Sequence, residues 1–367
     1  MAKKVTEIVM IVIVLSVSVT IAKGGPYNEA GINGYIGDDW RHANPFEDPD
    51  AVLNPIFRGW ADAVESYQPA PGVEAVWQNA SKALGPATGD HYYGVVGLGD
   101  LDEEQIGQGT PPGQITLSFN EPGNIIRDVN GYDFVVFENG FISGFTDPVF
   151  GFVEGQIFAE LGYVEVSSDG NNFVRFSGVS LTAGRVGALG TIDISDVYNF
   201  AGKHPNGYGL CTGTAFDLSD IEDDPSVVSG LVDVNNIRYV RIVDIPGSGD
   251  FYDEAVKRID PGTWPVWANY DANHPVYDVW LTLGSGGVDL EAIGVLCEQK
   301  YSGDVNLDGI VDVYDFLAFS SAWLSRFGTD NWIARCDVAE PKDMVIDFLD
   351  FAVLAEQWGA VEDWRNQ

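Results

Sequence analysis

Tyr163-Val164-Glu165-Val166-Ser167-Ser168-Asp169-Gly170-Asn171-Asn172-Phe173-Val174-Arg175-Phe176 decides how the larger part of this chain folds. Two short runs of β-branched and aromatic residues flank an Asp-Gly pair. The glycine supplies the positive φ of a tight turn, so the stretch reads as a β-hairpin. Working outward, Gln114-Ile115-Thr116-Leu117-Ser118-Phe119 alternates apolar and polar side chains, the pattern of a half-buried strand. Tyr132-Asp133-Phe134-Val135-Val136-Phe137-Glu138 is a mostly apolar run bounded by glycines and reads as a central strand. Arg238–Val243 is a further strand, and Val288–Leu296 closes the region. Many short strands separated by turn residues predict a two-sheet sandwich running from residue 92 to Cys297. Upstream, residues 23–88 are rich in Gly, Pro, Asn and Asp and read as loops, with one helical patch expected at Phe57–Val64.

Composition agrees with a folded, β-rich protein. Of the 367 residues, 45% are hydrophobic, enough to bury a core, and 43 glycines with 18 prolines favour turns over long helices. Lys3 and Lys4 precede an apolar run from Ile8 to Ala22, too short for a full bilayer span of about 30 Å. Residues 1–22 therefore read as an export signal, with cleavage near Thr20-Ile21-Ala22 expected and an uncleaved anchor as the alternative. After cleavage no membrane span is expected, and the product is secreted, extracellular or held at the cell surface. The formal charge is −36, and removing Lys3, Lys4 and Glu7 makes it one unit more negative. Phosphates would be repelled, which argues against a nucleic-acid partner, whereas divalent cations would be attracted. Cys211, Cys297 and Cys336 form no CxxC pair, so a zinc cluster is not expected. A Cys297–Cys336 disulfide and buried thiols are both open readings.

After a short linker at 298–302, residues 303–361 change character. Asp304, Asn306, Asp308, Gly309, Ile310, Asp312 and Asp315 fall at positions 1, 3, 5, 6, 7, 9 and 12 of a twelve-residue loop. Alternating short carboxylates and the Ile310 carbonyl are what Ca²⁺ requires, with Gly309 at the sharp reversal. Val311/Ile346, Asp312/Asp347, Asp315/Asp350, Phe316/Phe351 and Trp323/Trp358 repeat at a constant offset of 35. A duplicated unit follows. In the second copy Asp343, Asp347 and Asp350 fit positions 5, 9 and 12, with the Val345 carbonyl at 7 and Met344 in place of glycine. Asp337 lies two residues too far upstream for position 1 and reaches the ion only if the loop bulges. Phe316, Phe319 and Trp323, and their counterparts Phe351, Leu354 and Trp358, predict two helices packed face to face.

On these residues the tail resembles a type I dockerin: two loop-plus-helix repeats, no entering helix, and Asp at position 12. The resemblance implies a cohesin-like partner, contacted through positions 10 and 11, here Val313, Tyr314, Phe348 and Leu349. These four are more apolar than the small hydroxyl residues often found there. Val164–Gly170, Ile237–Ile242 and Val288–Ala292 are similar to the galactose-binding-like jelly roll of the discoidin group. Phe137–Gly140 and Ile245–Gly249 resemble segments of bacterial cell-surface proteins. The fold implied is mainly β: a jelly-roll β-sandwich at 23–297 followed by a small α-helical, paired calcium-loop domain. The sandwich would bind carbohydrate or another cell-surface ligand.

Within 23–297, Asp244, Asp253 and Asp278 are expected in loops or at strand ends, and Asp289 and Glu291 alternate on the last strand. They are candidates for a ligand site or a second calcium. Trp264, Trp267, Tyr270 and Tyr277 are candidates for stacking on sugar rings. His42, His91, His204 and His274 are scattered, with His204 expected at the surface, and neither G-x-S-x-G nor H-E-x-x-H occurs. A non-catalytic binding protein is the leading expectation. A glycoside hydrolase with the same tail, or a structural surface-layer component, are the alternatives.

Overall fold

The computed structural model describes residues 25–38, 40–258, 268, 271–329 and 331–366. The export signal and the candidate aromatics Trp264, Trp267 and Tyr270 lie outside these residues. The described protein is mainly β, built on two antiparallel sheets. The strands are β1 (Ile32–Asn33), β2 (Phe57–Trp60), β3 (Ala63–Gln68), β4 (Val96–Gly97), β5 (Gln114–Ser118), β6 (Phe134–Glu138), β7 (Gly162–Ser167), β8 (Val174–Arg175), β9 (Thr212–Phe216), β10 (Tyr239–Asp244) and β11 (Asp289–Leu296). One sheet runs β1-β9-β6-β11-β2, with β4 also on β11; the other runs β8-β7-β10-β5-β3. From β5 to β11 the chain changes sheet at every step except β7 to β8.

The two sheets share one core, as in a β-sandwich. Phe134, Val136, Leu290, Ile293 and Val295 from the first meet Ile115, Leu117, Val164, Val166, Val240 and Ile242 from the second. On β10, buried and half-buried residues alternate, because its outward face is only partly covered, whereas its neighbour β7 is buried throughout. The other face carries Glu165 between Arg175 and Arg241, each 2.7 Å away. Strands β6 and β11 are buried at every position. Their second face is also covered: Val135, Phe137, Ala292 and Leu296 pack with Ile32, Ile56 and Phe57 of the N-terminal segment and with Trp364 of the tail. This is why the Phe134–Phe137 run reads without alternation.

The hairpin forms where expected, with Glu165 opposite Arg175 and Gly170 at φ +77°. The helical patch at Phe57–Val64 does not form; β2 and the start of β3 occupy it. Local propensity loses to pairing, since β2 adds to the edge of β11 with Trp60 opposite Gly294 and Phe57 stacked on Trp60 at 4.8 Å. The expected linker is tied down: Gln299 is buried, accepts from the Tyr132 amide at 2.7 Å and donates to its carbonyl at 3.0 Å. All three cysteines are free thiols, Cys211 and Cys336 buried. Two short helices, α1 (Glu103–Gly107) and α2 (Pro225–Val228), lie in connections, and two longer ones, α3 (Val313–Ser321) and α4 (Phe348–Gln357), lie in the tail. Among the described residues no helix is long and apolar enough to cross a membrane.

Phe134 is fully buried, stacks on Phe216 at 5.2 Å and meets Phe176 edge-on at 5.8 Å. Phe134→Ala should cost about 3–5 kcal/mol of stability in urea unfolding. A loss under about 1 kcal/mol would contradict the shared core.

Candidate metal centres

Each tail loop is shaped by its own carboxylates. In the first, Asp304 Oδ2 accepts from the Gly309 amide at 2.8 Å and Oδ1 from Asp308 at 3.1 Å. Asp308 Oδ1 accepts from Ile310 at 3.0 Å. Asp315 accepts from Asn306 at 3.2 Å and from Asp312 at 2.7 Å, the latter completing a capping box at the start of α3. Gly309 holds φ +84°, the reversal that a Cβ would strain.

The second loop repeats these bonds despite its insertion. Asp337 Oδ2 accepts from Met344 at 3.0 Å, as Asp304 does from Gly309. Asp343 accepts from Val345 at 3.0 Å, and Asp350 accepts from Val338 at 2.8 Å, Ala339 at 2.9 Å and Asp347 at 2.8 Å. Met344 takes φ +61°, the conformation glycine takes in the first loop. The two extra residues fall in the stretch between Asp337 and Asp343, of which 340–343 are exposed, and Asp337 makes the bond that Asp304 makes in the first loop. No counterpart of the Asn306 side chain stands in this loop. The structure also reveals what the sequence pattern did not: each loop pairs with the chain leaving the other unit's helix. Leu324 donates to Ile346 at 2.9 Å and Phe327 to Met344 at 3.1 Å; Gly359 donates to Val311 at 2.7 Å and Glu362 to Gly309 at 2.8 Å. These are the same bonds displaced by 35 residues.

Helices α3 and α4 meet through Phe316–Phe351 at 6.2 Å and Phe319–Phe351 at 6.1 Å. At their first turns Val313, Tyr314, Phe348 and Leu349 are exposed, the second pair far more so, at 73% and 63%. The Arg41 guanidinium lies 5.3 Å over the Tyr314 ring.

The donor set is short carboxylates, one amide and backbone carbonyls, which suits a hard divalent ion. Burial pushes Asp304 up to about 8, with Asp315 and Asp308 adding repulsion. Burial likewise raises Asp315 to about 7 and Asp337 to about 6. Arg365 donates to the Asp308 carbonyl and lies 3.0 Å from its Oδ1.

In the sandwich the five candidate acids separate. Asp253 accepts from Ser180 at 2.9 Å and from the His274 amide at 2.6 Å, and its Oδ2 lies 3.0 Å from His274 Nδ1. Glu291 accepts from Thr88 at 2.8 Å, Gly89 at 3.2 Å and Asn206 at 2.5 Å. Both are consumed in holding loops and leave nothing for a ligand. Asp244, Asp278 and Asp289 are buried at strand ends or in a loop. Tyr277 is half-buried against Gly249. Asp128, Asp133 and Asp217 bring carboxylate oxygens within 4.8 Å of one another. There each oxygen of Asp133 accepts one backbone bond, from Val129 at 3.0 Å and from Leu218 at 2.7 Å. His204 is buried, not exposed: its ring lies 3.2 Å from Thr214 Oγ1 and 3.0 Å from the Glu29 carbonyl, and burial lowers it to about 3. Lys203 beside it pairs with Glu29, which anchors this loop inward.

No family model matches this chain, and neither a curated protein nor a solved structure was found similar to it.

The raised tail carboxylates fix a sign. An unfolded Asp titrates near 4, so as pH rises from about 4 to about 8 the unfolded chain loses protons that folded Asp304 and Asp315 retain. Stability in chelator should fall across that window. A calcium ion held by these carboxylates would compete with the same protons, so its affinity should strengthen from pH 5.5 to 8.5. Calorimetric titrations at both ends check this, and equal affinities would remove Asp304 and Asp315 from the ligand set.

Proposed function

We propose that this chain is an exported, calcium-binding recognition protein. Its sandwich takes a carbohydrate or other cell-surface ligand, and its tail, once calcium fills the loops, docks onto a cohesin-like protein. The observation that carries this reading is the repetition of the same cap and return-strand bonds at an offset of 35 residues, with the equivalent loop bond made by Asp337 from two residues further upstream than the count requires. A solvated acidic turn has no need of such a repeat, whereas a paired calcium module of the dockerin kind does. The exposed apolar pair Phe348 and Leu349 at the first turn of α4 suits a protein interface. Val313 and Tyr314 form the equivalent, more sheltered face.

The strand order β2-β11-β6-β9 against β5-β10-β7-β8, with crossings between sheets, supports a jelly roll. At the end of the sandwich where β4 and β9 begin, Tyr92, Tyr93 and Tyr208 are exposed. Tyr92 and Tyr93 lie 4.6 Å apart, and the His91 ring sits 4.0 Å from Tyr208. Aromatic rings held at a loop end suit the apolar faces of sugars. We read the activity as binding without turnover.

Asp304→Ala with Asp308→Ala should weaken calcium binding by the first loop at least ~10-fold in calorimetry, because two of its carboxylate ligands are gone. Unchanged titration would refute the ligand assignment. Phe348→Ala with Leu349→Ala should leave calcium binding intact and abolish calcium-dependent retention on an immobilised type I cohesin. On a polysaccharide panel, retardation without release of reducing ends is expected. Turnover lost on a single carboxylate substitution would favour the hydrolase instead.

A further inference from the structure

Residues 25–29 lie where the sandwich and the tail meet. The Tyr27 amide donates to the Ser195 carbonyl at 2.8 Å, and the Tyr27 carbonyl accepts from Lys203 Nζ at 2.9 Å. The Tyr27 ring is buried, 5.2 Å from Tyr198 of the sandwich and 5.8 Å from Phe327 of the tail. Asn28 donates through its side-chain amide to the Trp332 carbonyl, also in the tail. Glu29 pairs with buried Lys203.

Gly25, at the head of this segment, is fitted as closely. Its nitrogen donates to Ser195 Oγ at 2.5 Å. A Cβ on Gly25 would fall well under 3 Å from the Asp196 carboxylate and from the Ser195 carbonyl, so only glycine fits. These acceptors belong to one 3-10 turn, Ile194–Asp196, which Asp193 caps. Asp193 Oδ1 accepts from the Ser195 amide at 3.0 Å and from its hydroxyl at 2.5 Å.

Asp196 is the odd group here. Its carboxylate is half-buried and makes no hydrogen bond or ion pair among the described residues. Burial, and then the charge of Asp193, raise it to about 6. Lys203, the buried cation of this region, is engaged by Glu29 and Tyr27. A backbone amide at Gly25 has one N–H, already spent on Ser195. An α-ammonium at the same nitrogen carries three donors and the charge that Asp196 lacks.

The sequence supplies such an amine. Ala22-Lys23-Gly24 puts small residues three and one before Gly25, the pattern at which an export leader is cut, and residues 1–24 fall within the usual leader length. Cutting after Thr20-Ile21-Ala22 instead would leave Lys23-Gly24 ahead of Gly25 and keep its nitrogen an amide.

We propose that the export signal is cut between Gly24 and Gly25, and that the new α-ammonium seats between Ser195 Oγ and the Asp196 carboxylate, fastening the N-terminus where sandwich and tail meet. The step is hydrolysis: water adds across the Gly24–Gly25 peptide bond, the discarded leader keeps the carboxylate, and Gly25 gains the amine. The seat depends on the export reading of the leader and adds to it the position of the cut and a receptor for the end it makes.

The full chain, expressed with its own leader and recovered outside the cell, is read by intact mass and N-terminal sequencing. A start at Gly25 is expected. A start at Lys23 overturns the proposal and leaves export standing; a chain kept inside the cell with residues 1–24 attached overturns the export reading as well. The seat is tested by a cycle of purified chains that begin at Gly25 or at Lys23, each with Asp196 intact or with Asp196→Asn. With Asp196 intact, the two added residues should lower the melting temperature by at least about 2 °C. In the Asp196→Asn background that difference should vanish. Equal melting of the first pair, or a penalty that survives Asp196→Asn, refutes the seat. Should Asp196→Asn fail to fold, the unaltered chain answers: its α-amine should be acylated at least about tenfold more slowly when folded than when unfolded, and equal rates refute the seat.

Discussion

The carboxylate of Asp304 is almost wholly removed from water, yet the charges nearest it are those of Asp315 and Asp308. Isolated ionised carboxylates are not buried at tolerable cost; they are paired, protonated or bound to metal. The loop backbone has already turned its N–H groups onto these oxygens, which sets their positions but neutralises no charge. On the proposed reading, a divalent ion supplies what remains. Metal binding and folding would then be one equilibrium, since the helices α3 and α4 and residues of both loops share one apolar cluster.

The exchanged pairing strengthens that dependence. The chain leaving α3 hydrogen-bonds to the second loop, and the chain leaving α4 to the first. Neither unit completes its backbone bonds alone, so losing one loop removes partners from the other. The second loop therefore has a structural use even with fewer oxygens. Its Met344 carries a positive φ, which a side chain tolerates at some strain where the surrounding bonds fix it.

Much of this was legible in residue order. The hairpin at Tyr163–Phe176, the central run Phe134–Phe137 and the alternation on β10 follow from side-chain period, and so do the two tail helices. What escaped depended on contacts distant in sequence. Phe57–Trp60 is a strand because β11 offers an edge, with Trp60 paired to Gly294, 234 residues on. His204 is buried because Lys203 next to it is drawn to Glu29. Asp253 and Glu291 look like Asp244 and Asp289 in sequence; only the donors around them mark the first two as structural acids. Asp337 lies two residues off the loop count, yet it accepts from Met344 as Asp304 does from Gly309.

The tail does not hang free of the sandwich, and this bears on which of its faces can meet a partner. Trp364 is buried with Ile56, Phe57 and Phe137, and its ring lies 6.4 Å from Trp40. Arg365 stacks 4.0 Å over Trp40 while bonding to Asp308 of the first loop. Tyr27 meets Phe327 at 5.8 Å, and Arg335 lies 5.2 Å over Tyr132. The first loop is thus clamped between the sandwich and the C-terminal turn, with Tyr314 beneath Arg41. Internal two-fold repetition gives the tail two similar faces in principle. For the proposed docking, clamping one of them leaves the Phe348–Leu349 face as the one open without displacing the sandwich.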